Sequence, residues 1–541
     1  MVTDEELRTL AAERLGHTSL RPGQLEAARA AAAGRDTLCV MSTGSGKSAV
    51  YQLAGLARGG LTVVVSPLIA LQRDQLEGAI DAAAMLNSTL RTAERAELLE
   101  SVAAGEVEVL LLAPEQLTDD GVQAALRDGG ASLFVVDEAH CVSQWGHEFR
   151  PDYLRLAQAA DAIGRPPILA LTATAAPQVR EEIAEILSLQ DPEVVVRGFD
   201  RPNLHLEVRT FRDADAKRAA VVDFAVEAAG PGIVYCATQK ATDAVAAALQ
   251  ERGVAAVAYH AGHSAARRDE RQAAFMDPAG GVQVMVATIA FGMGVDKPDV
   301  RWVAHHDVSA SVDAYYQEVG RAGRHGDPAR VVLFFRAEDL GLRRYFAAGR
   351  VRGAEIDRVA RALADKDEPT EPGVLADRLH LSDTKLATAL QHFERLGFAE
   401  VLGDGRVRRP PGAPSVEEAV ATGQSGEAHR KALDRTRVDM MRAYAESRSC
   451  RRALLLGYFG EPYDAPCGAC DVCDADERDG TAVAAATAGF TTGDRVQHNA
   501  WGHGQVGHVD DDRLTVVFDT VGYKTLAAEV VEGDPDLLRP V

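Results

Sequence analysis

The stretch Met41-Ser42-Thr43-Gly44-Ser45-Gly46-Lys47-Ser48 places two glycines, a lysine and a hydroxyl in one short loop, and Asp137-Glu138-Ala139-His140 follows downstream. This ordered pair supplies both halves of a site that can split ATP. A glycine-rich loop between a strand and a helix turns successive N–H groups, and a helix N-terminus, toward phosphate oxygens. Thr43, Gly44, Ser45 and Gly46 would form that cradle. Lys47 would reach the β/γ-phosphates and Ser48 would hold Mg²⁺. Asp137 closes an apolar strand, where a second Mg²⁺ ligand belongs. Glu138 beside it is placed to orient or deprotonate the attacking water. Met41 stands where the loop motif has its first glycine, so the loop pattern alone is imperfect and the acidic motif completes it.

These residues need a parallel sheet to hold them. Short apolar runs at 38–41, 63–65, 110–112 and 134–136 read as buried parallel strands. A second set at 233–236, 256–259, 282–287, 302–305 and 331–335 alternates with polar helices at 241–252 and 265–276. Such alternation predicts another parallel sheet covered on both faces. At its far end lies Gln317-Glu318-Val319-Gly320-Arg321-Ala322-Gly323-Arg324. Two arginines three apart are expected on one face of a helical turn. From an opposing lobe, Arg321 and Arg324 can meet the γ-phosphate as arginine fingers, a role worth orders of magnitude in rate.

At 541 residues the chain is long enough for several domains. Its 46% hydrophobic and 26% charged residues fit globular domains rather than a disordered or fibrous chain. No apolar run approaches membrane-spanning length, and residues 1–10 read as an acidic helix rather than a signal peptide. Cys39, Cys141 and Cys236 lie in or beside apolar segments, which predicts reduced core thiols and a reducing cytoplasm. The net charge of −22 argues, taken alone, against a polyanion partner. A large acidic chain can still present a basic groove, so local counts decide more.

The motifs extend well beyond the two halves of the ATP site. Leu20-Arg21-Pro22-Gly23-Gln24, Val64-Val65-Ser66-Pro67-Leu68-Ile69-Ala70-Leu71 and Leu171-Thr172-Ala173-Thr174-Ala175 fall in the first lobe. Phe199-Asp200-Arg201-Pro202-Asn203-Leu204 and Phe291-Gly292-Met293-Gly294-Val295-Asp296-Lys297-Pro298 lead to the arginine motif. In this order they resemble a RecQ-type helicase of superfamily 2. The resemblance implies an α/β fold with two RecA-like parallel-sheet lobes, residues 1–197 and 198–347. It also implies that Gln24 reads the adenine edge and Arg21 shapes that pocket, a role a glutamine amide can fill chemically. The segments at 66–71 and 172–174 resemble those that touch the DNA backbone and relay the nucleotide state. Cys141-Val142-Ser143-Gln144-Trp145-Gly146-His147-Glu148-Phe149-Arg150-Pro151 resembles the aromatic-rich loop that couples single-stranded DNA to ATP turnover. Trp145 and Phe149 offer π-faces to bases, and Arg150 can pair with phosphate or stack.

Cys450, Cys467, Cys470 and Cys473 have overlapping C-x₂-C spacings plus a fourth thiol from the end of a preceding helix, a set suited to a closed tetrahedral Zn²⁺ site. A redox C-x-x-C is the competing reading, disfavoured by the lack of a thioredoxin-like context. Residues 426–475 also resemble the RecQ zinc domain. Over 430–452 eight basic residues face three acidic ones, which reads as a basic surface aimed at duplex phosphate.

Residues 351–412 read as a winged helix, with helices at 354–364 and 373–379, a third capped by Ser382, and a hairpin at 398–407 turning at Asp404-Gly405. As a RecQ-like chain it departs from the usual order, since this element precedes the zinc module. Ten basic residues face eleven acidic ones over 351–409, with Arg406, Arg408 and Arg409 concentrated at the wing. A duplex-contacting wing and a protein-docking one stay equally open. Residues 490–541 resemble a small Tudor/SH3-like barrel. Nine acids against four bases over 494–539 favour a protein partner there.

The resemblance as a whole implies an ATP-dependent 3′–5′ DNA helicase or translocase using ATP, Mg²⁺ and Zn²⁺. It would act on single-stranded and duplex DNA in repair and recombination, with no membrane association and a cytoplasmic, nucleoid-associated location. The alternatives are a DNA-dependent translocase or remodeller that does not separate strands, and an RNA helicase.

Overall fold

The apolar runs become strands because their side chains are buried on both faces, as a sheet sandwiched between helices requires. In the computed structural model the described residues are 2–42, 44–67, 82–87, 90–143, 150–292, 297–324, 326–347, 353–365, 368–402, 405–461, 463–479, 487–491, 494–510, 512–518, 522–534 and 536–541. The chain divides into two compact units, Met1–Leu340 with Asp439–Val541, and Gly341–Val438.

The larger unit holds two parallel sheets. The first comprises β1 (Thr37–Met41), β2 (Leu61–Val65), β3 (Ala83–Leu86), β4 (Val109–Leu112), β5 (Ala131–Val136), β6 (Ile168–Thr172) and β7 (Glu193–Arg197), in the order β3-β4-β2-β5-β6-β1-β7. Every pairing is parallel, so all its strands end at one edge. The glycine-rich loop leaves β1 and the acidic motif leaves β5 at that edge, with only β6 between them. Ligands of open α/β sheets bind outside the carboxyl ends of the strands.

The second sheet comprises β8 (Leu204–Thr210), β9 (Gly232–Tyr235), β10 (Ala256–Tyr259), β11 (Val284–Ala287), β12 (Trp302–His305) and β13 (Ala329–Phe335), in the order β10-β11-β9-β12-β13-β8. Its pairings are also parallel. Edge strand β8 escapes an apolar-run search because it alternates, Leu-His-Leu-Glu-Val-Arg-Thr, with only Leu204 and Leu206 buried.

One local expectation is corrected. The helix Val312–Val319 stops at Gly320, and Arg321 through Arg324 lie in turns beyond it rather than on its face. Gly323, at φ +59°, supplies the left-handed step that turns the chain back.

After the lobes, the larger unit continues with the helices Arg451–Tyr458 and Asp471–Asp479 and a five-stranded antiparallel sheet. That sheet is built from β16 (Arg495–His498), β17 (Gly502–Asp510), β18 (Arg513–Phe518), β19 (Gly522–Ala527) and β20 (Leu538–Pro540), ordered β19-β18-β17-β16-β20 around Val496, Leu514, Val516 and Phe518. The smaller unit packs the helices Gly353–Ala364, Pro372–Leu379 and Asp383–Arg395 around Ile356, Leu375, Phe393 and Phe398. Its hairpin pairs β14 (Glu400–Val401) with β15 (Val407–Arg408). Ser382 stands at the N-cap as expected, but its side chain makes no cap hydrogen bond. No described helix is long and apolar enough to cross a membrane.

Candidate active site and zinc centre

Gly44 and Gly46 adopt φ values of +76° and +79°, so the loop can turn its N–H groups inward only with glycine at both positions. Gly46 caps the helix Lys47–Arg58, whose N-terminus adds its dipole to the same spot. Lys47 Nζ donates to the Met41 carbonyl at 3.3 Å, folded back over the loop. The buried Ser45 Oγ has no hydrogen-bond partner among the described residues. A buried hydroxyl held within a glycine-rich loop is a donor that suits a phosphate oxygen. Thr43 lies outside the described residues.

Gln24 and Arg21 clasp this loop from the side. Gln24 Nε2 donates to the carbonyls of Ser45 at 2.9 Å and Gly46 at 3.0 Å, while its Oε1 accepts from the Arg21 N–H at 2.7 Å. The Arg21 guanidinium donates to the Gly44 carbonyl. Both residues thus touch the glycine-rich loop itself, and the Gln24 amide is bonded to its backbone.

Asp137 is buried at the end of β5, its N–H bonded to the Val65 carbonyl at 2.9 Å. Burial and the neighbouring Asp137 carboxylate keep the Tyr51 phenol protonated, with Ser48 near enough to oppose that shift. Tyr51 thus senses both expected Mg²⁺ ligands, Ser48 through a hydrogen bond and Asp137 through its charge. Glu138 takes a left-handed conformation, φ 50° and ψ 46°. Non-glycine residues held there are strained, and such strain gathers at functional sites.

His140 joins this acidic motif to β6. Its Nδ1 lies 2.9 Å from Thr172 Oγ1 and 3.3 Å from Glu138 Oε2. Burial disfavours the imidazolium, but Cys141 and Glu138 outweigh it and hold the ring well above its ordinary value. Thr172 Oγ1 donates to the Thr174 carbonyl at 3.1 Å, and Thr174 Oγ1 accepts from Gln317 Nε2 at 3.3 Å. A continuous polar path therefore runs from Glu138 to the segment that carries the arginines. Gln317 lies four residues before Arg321, so the arginine motif carried this signal unread.

Across the cleft, Arg324 packs against the phosphate loop. A methyl built on Gly44 would lie 3.7 Å from Arg324 Cγ. Arg321 is buried, and both arginines oppose the burial that pushes the Tyr235 phenol up to about 12. Arg150 is engaged: its Nη1 donates to the Pro67 carbonyl at 3.1 Å, and its N–H to the Cys141 carbonyl at 2.9 Å. Trp145 and Phe149 lie outside the described residues, as do 68–71 of the Ser66 segment.

The four module cysteines converge. Sγ atoms of Cys450, Cys467, Cys470 and Cys473 all lie within 4.8 Å of one another, with 3.9 Å between Cys467 and Cys473. Tetrahedral Zn–S bonds place sulfurs about 3.8 Å apart, so the set fits Zn²⁺. N–H groups of Ala469 and Cys473 point at the sulfurs of Cys467 and Cys470, both at 3.4 Å. Cys450 is the N-cap of the helix Arg451–Tyr458.

Two arginines of the basic surface expected over 430–452, Arg451 and Arg452, are turned into the fold. Arg451 is buried, bonding Asp471 at 3.0 Å and the Tyr444 carbonyl at 2.6 Å, and Arg452 is buried against Asp200 at 3.3 Å. Arg442 pairs with Glu446 at 3.0 Å. A charge count cannot distinguish arginines aimed at phosphate from arginines paired within the fold. At the wing, Arg408 pairs with Glu400 at 2.8 Å, and Arg409 lies over the Phe398 ring while donating to the Pro414 carbonyl.

Comparison with known proteins follows the same order. Family models match for the DEAD/DEAH box helicase domain at 21–183, the helicase conserved C-terminal domain at 216–326, RecQ zinc-binding at 415–474, and the PcrA/UvrD tudor domain at 492–531. A probable ATP-dependent DNA helicase RecS of Bacillus subtilis is 33% identical over 464 residues, which cover 85% of this chain and 89% of that protein. The chain belongs to the RecQ helicase family. Its similarity to the ATP-dependent DNA helicase RecQ of Pasteurella multocida is also 33%, over 85% of this chain. The chain spans about three-fifths of that relative's length, and of the Haemophilus influenzae RecQ, 60% and 62%. Among solved structures, the DNA-bound DUF1998 helicase MrfA superposes with TM-score 0.51 at 16% identity, covering 77% of this chain and 61% of that one. Mycobacterium smegmatis Lhr, bound to ssDNA and AMP-PNP, gives 0.50 at 22%, covering 78% and 61%. Both share the fold of the two lobes.

Proposed function

We propose that the chain is an ATP-dependent DNA helicase that moves 3′ to 5′ on single-stranded DNA and separates duplex. One observation carries the ATPase core of this reading: Arg324 of the second lobe lies against Gly44 of the first lobe's phosphate loop. A nucleotide bound there would be gripped from both sides, so its hydrolysis changes how the lobes meet.

The roles follow from position. Lys47 and the loop N–H groups neutralise the β/γ-phosphates, and Glu138 orients and deprotonates water. Arg321 and Arg324 stabilise charge that develops as the γ-phosphoryl group leaves. Ser48 and Asp137 would hold Mg²⁺, which withdraws charge from the phosphate oxygens. Gln24 and Arg21 recognise adenine by exchanging their loop carbonyls for the base. His140, Thr172, Thr174 and Gln317 report the state of Glu138 to the arginine turn. Trp145, Phe149 and Arg150 couple bound DNA to turnover, and Cys450, Cys467, Cys470 and Cys473 hold a structural zinc ion. The domains follow the ranges 1–197, 198–347, 351–412, 426–475 and 490–541.

Residues 351–412 form a winged helix. Its paired Arg408 and packed Arg409 favour a protein-docking wing over a duplex-contacting one, and the acidic C-terminal barrel takes a protein partner as well. The chain works on nucleoid DNA in the cytoplasm, in repair and recombination.

The engaged wing arginines also favour a second reading, a translocase that does not separate strands. Strand displacement on 3′-tailed, 5′-tailed and blunt duplexes decides between the two. Helicase activity predicts ATP-dependent release from the 3′-tailed substrate alone. Vigorous DNA-stimulated ATP hydrolysis with no strand released would leave the translocase.

A further inference from the structure

The segment Phe199-Asp200-Arg201-Pro202-Asn203-Leu204 leads into β8 and is held from two sides. Toward the cleft, Arg201 Nη2 donates to the carbonyls of Ala322 at 2.9 Å and Gly323 at 2.8 Å. Asn203 Nδ2 donates to Gly323 and Asp327, both at 2.8 Å. The Ala322 and Gly323 carbonyls belong to the turn that carries Arg321 and Arg324, and Asp327 follows it. The grip is tight, because a methyl on Gly323 would stand 2.4 Å from the Asn203 amide.

On the other side the zinc module holds the same segment. Arg452 Nη2 donates to the carbonyls of Arg201 at 3.1 Å and Leu204 at 2.9 Å, and its Nε pairs with Asp200 at 3.3 Å. Phe459 stacks on Phe199 with centroids 4.4 Å apart, and the Glu461 carboxylate accepts the Phe199 N–H at 3.2 Å. Arg452 stands two residues after Cys450, on the helix that this cysteine caps.

We propose that the zinc module positions the arginine fingers: Arg452 fixes the 199–204 segment, and Arg201 on that segment fixes the turn that presents Arg324 to the γ-phosphate. Arg201 and Arg452 are positioning residues, and neither touches the nucleotide. Guanidinium-to-carbonyl bonds are charge-assisted and directional, which suits them to hold a turn in register. The inference rests on the ATPase reading above. It goes further by giving the zinc module a part in catalytic geometry as well as in folding.

The test uses the full zinc-loaded chain with single-stranded DNA, comparing wild type, Arg201→Ala, Arg201→Lys, Arg452→Met, Arg324→Ala and the Arg201→Ala/Arg324→Ala double variant. Small misplacements of a catalytic group can cost about 10²-fold in rate. Arg201→Ala should therefore lose on that order in kcat, with KM for ATP within about twofold, as expected for an interaction made mainly in the transition state. Zinc content and thermal midpoint should hold. Arg201→Lys should restore part of the rate, and Arg452→Met should fall in the same direction as Arg201→Ala. The double variant should be no slower than Arg324→Ala, because a displaced turn matters only through the arginine it carries. Multiplying losses in the double variant would overturn the proposal, as would an Arg201→Ala rate equal to wild type or a rate loss that tracks loss of zinc. Absence of turnover in the wild type would instead mark failure of the ATPase reading itself.

Discussion

Arg321 and Arg324 form one arginine pair in this chain, and Arg451 and Arg452 form another. The first pair lies in turns beyond the helix Val312–Val319, with Arg324 beside Gly44 and Arg321 buried beside Tyr235. The second pair sits beside the zinc centre, bonded to Asp471, Asp200 and backbone carbonyls. Arg321 is as buried as Arg451 and Arg452, so burial does not separate the pairs. What separates them is the partner set. Arg451 and Arg452 bond Asp471, Asp200 and backbone carbonyls around the four cysteines, whereas Arg324 lies against the glycine-rich loop at Gly44. Local charge density measures neither situation.

This contrast can be broken or sharpened by experiment, beginning with the zinc centre that supports the second pair. Structural zinc sites contribute folding energy outright, of order 10 kcal/mol in small domains. Cys470→Ser should therefore lose bound zinc, measured by atomic absorption, and should lower the unfolding midpoint sharply. Retention of stoichiometric zinc by that variant would mean the four sulfurs do not act together. Arg451→Ala comes next. Removing one partner of a buried ion pair costs about 3–5 kcal/mol, and denaturant unfolding of the zinc-loaded chain should register a loss of that order. An unchanged midpoint would show that Arg451 is no more structural than a surface arginine. The smallest effect belongs to the exposed Arg442–Glu446 pair, where Arg442→Ala should shift stability by no more than about 0.5 kcal/mol. A larger loss there would mean that exposed arginines of this module also have structural work.

The parts of the site legible in the sequence are those fixed by short spacing. Gly44 and Gly46 around Ser45, Asp137 closing an apolar run, and the three cysteines at 467, 470 and 473 each need only local geometry, and the structure brings each set together. Strands β1, β2, β4 and β5 were legible for a similar reason, since double-sided burial leaves continuous apolar runs. Edge strand β8 was not, because half its side chains face outward. Partners distant in sequence were also hidden. Nothing near Arg451 announces Tyr444 and Asp471 as its acceptors, and nothing near Gln24 announces the Ser45 and Gly46 carbonyls. The end of the arginine helix escapes a spacing argument, because Arg321 and Arg324 have helical spacing while the helix stops at Gly320 and Gly323, at φ +59°, turns the chain away.

The account depends on one nucleotide being contacted from both lobes. The direct measurement is the single-turnover rate of DNA-stimulated ATP hydrolysis by wild type and Arg324→Ala, with ATP affinity measured in parallel. Removing an arginine finger costs about 10³-fold or more in rate. The account predicts a loss of that size with affinity and unfolding midpoint nearly unchanged. Equal rates for the two proteins would contradict it.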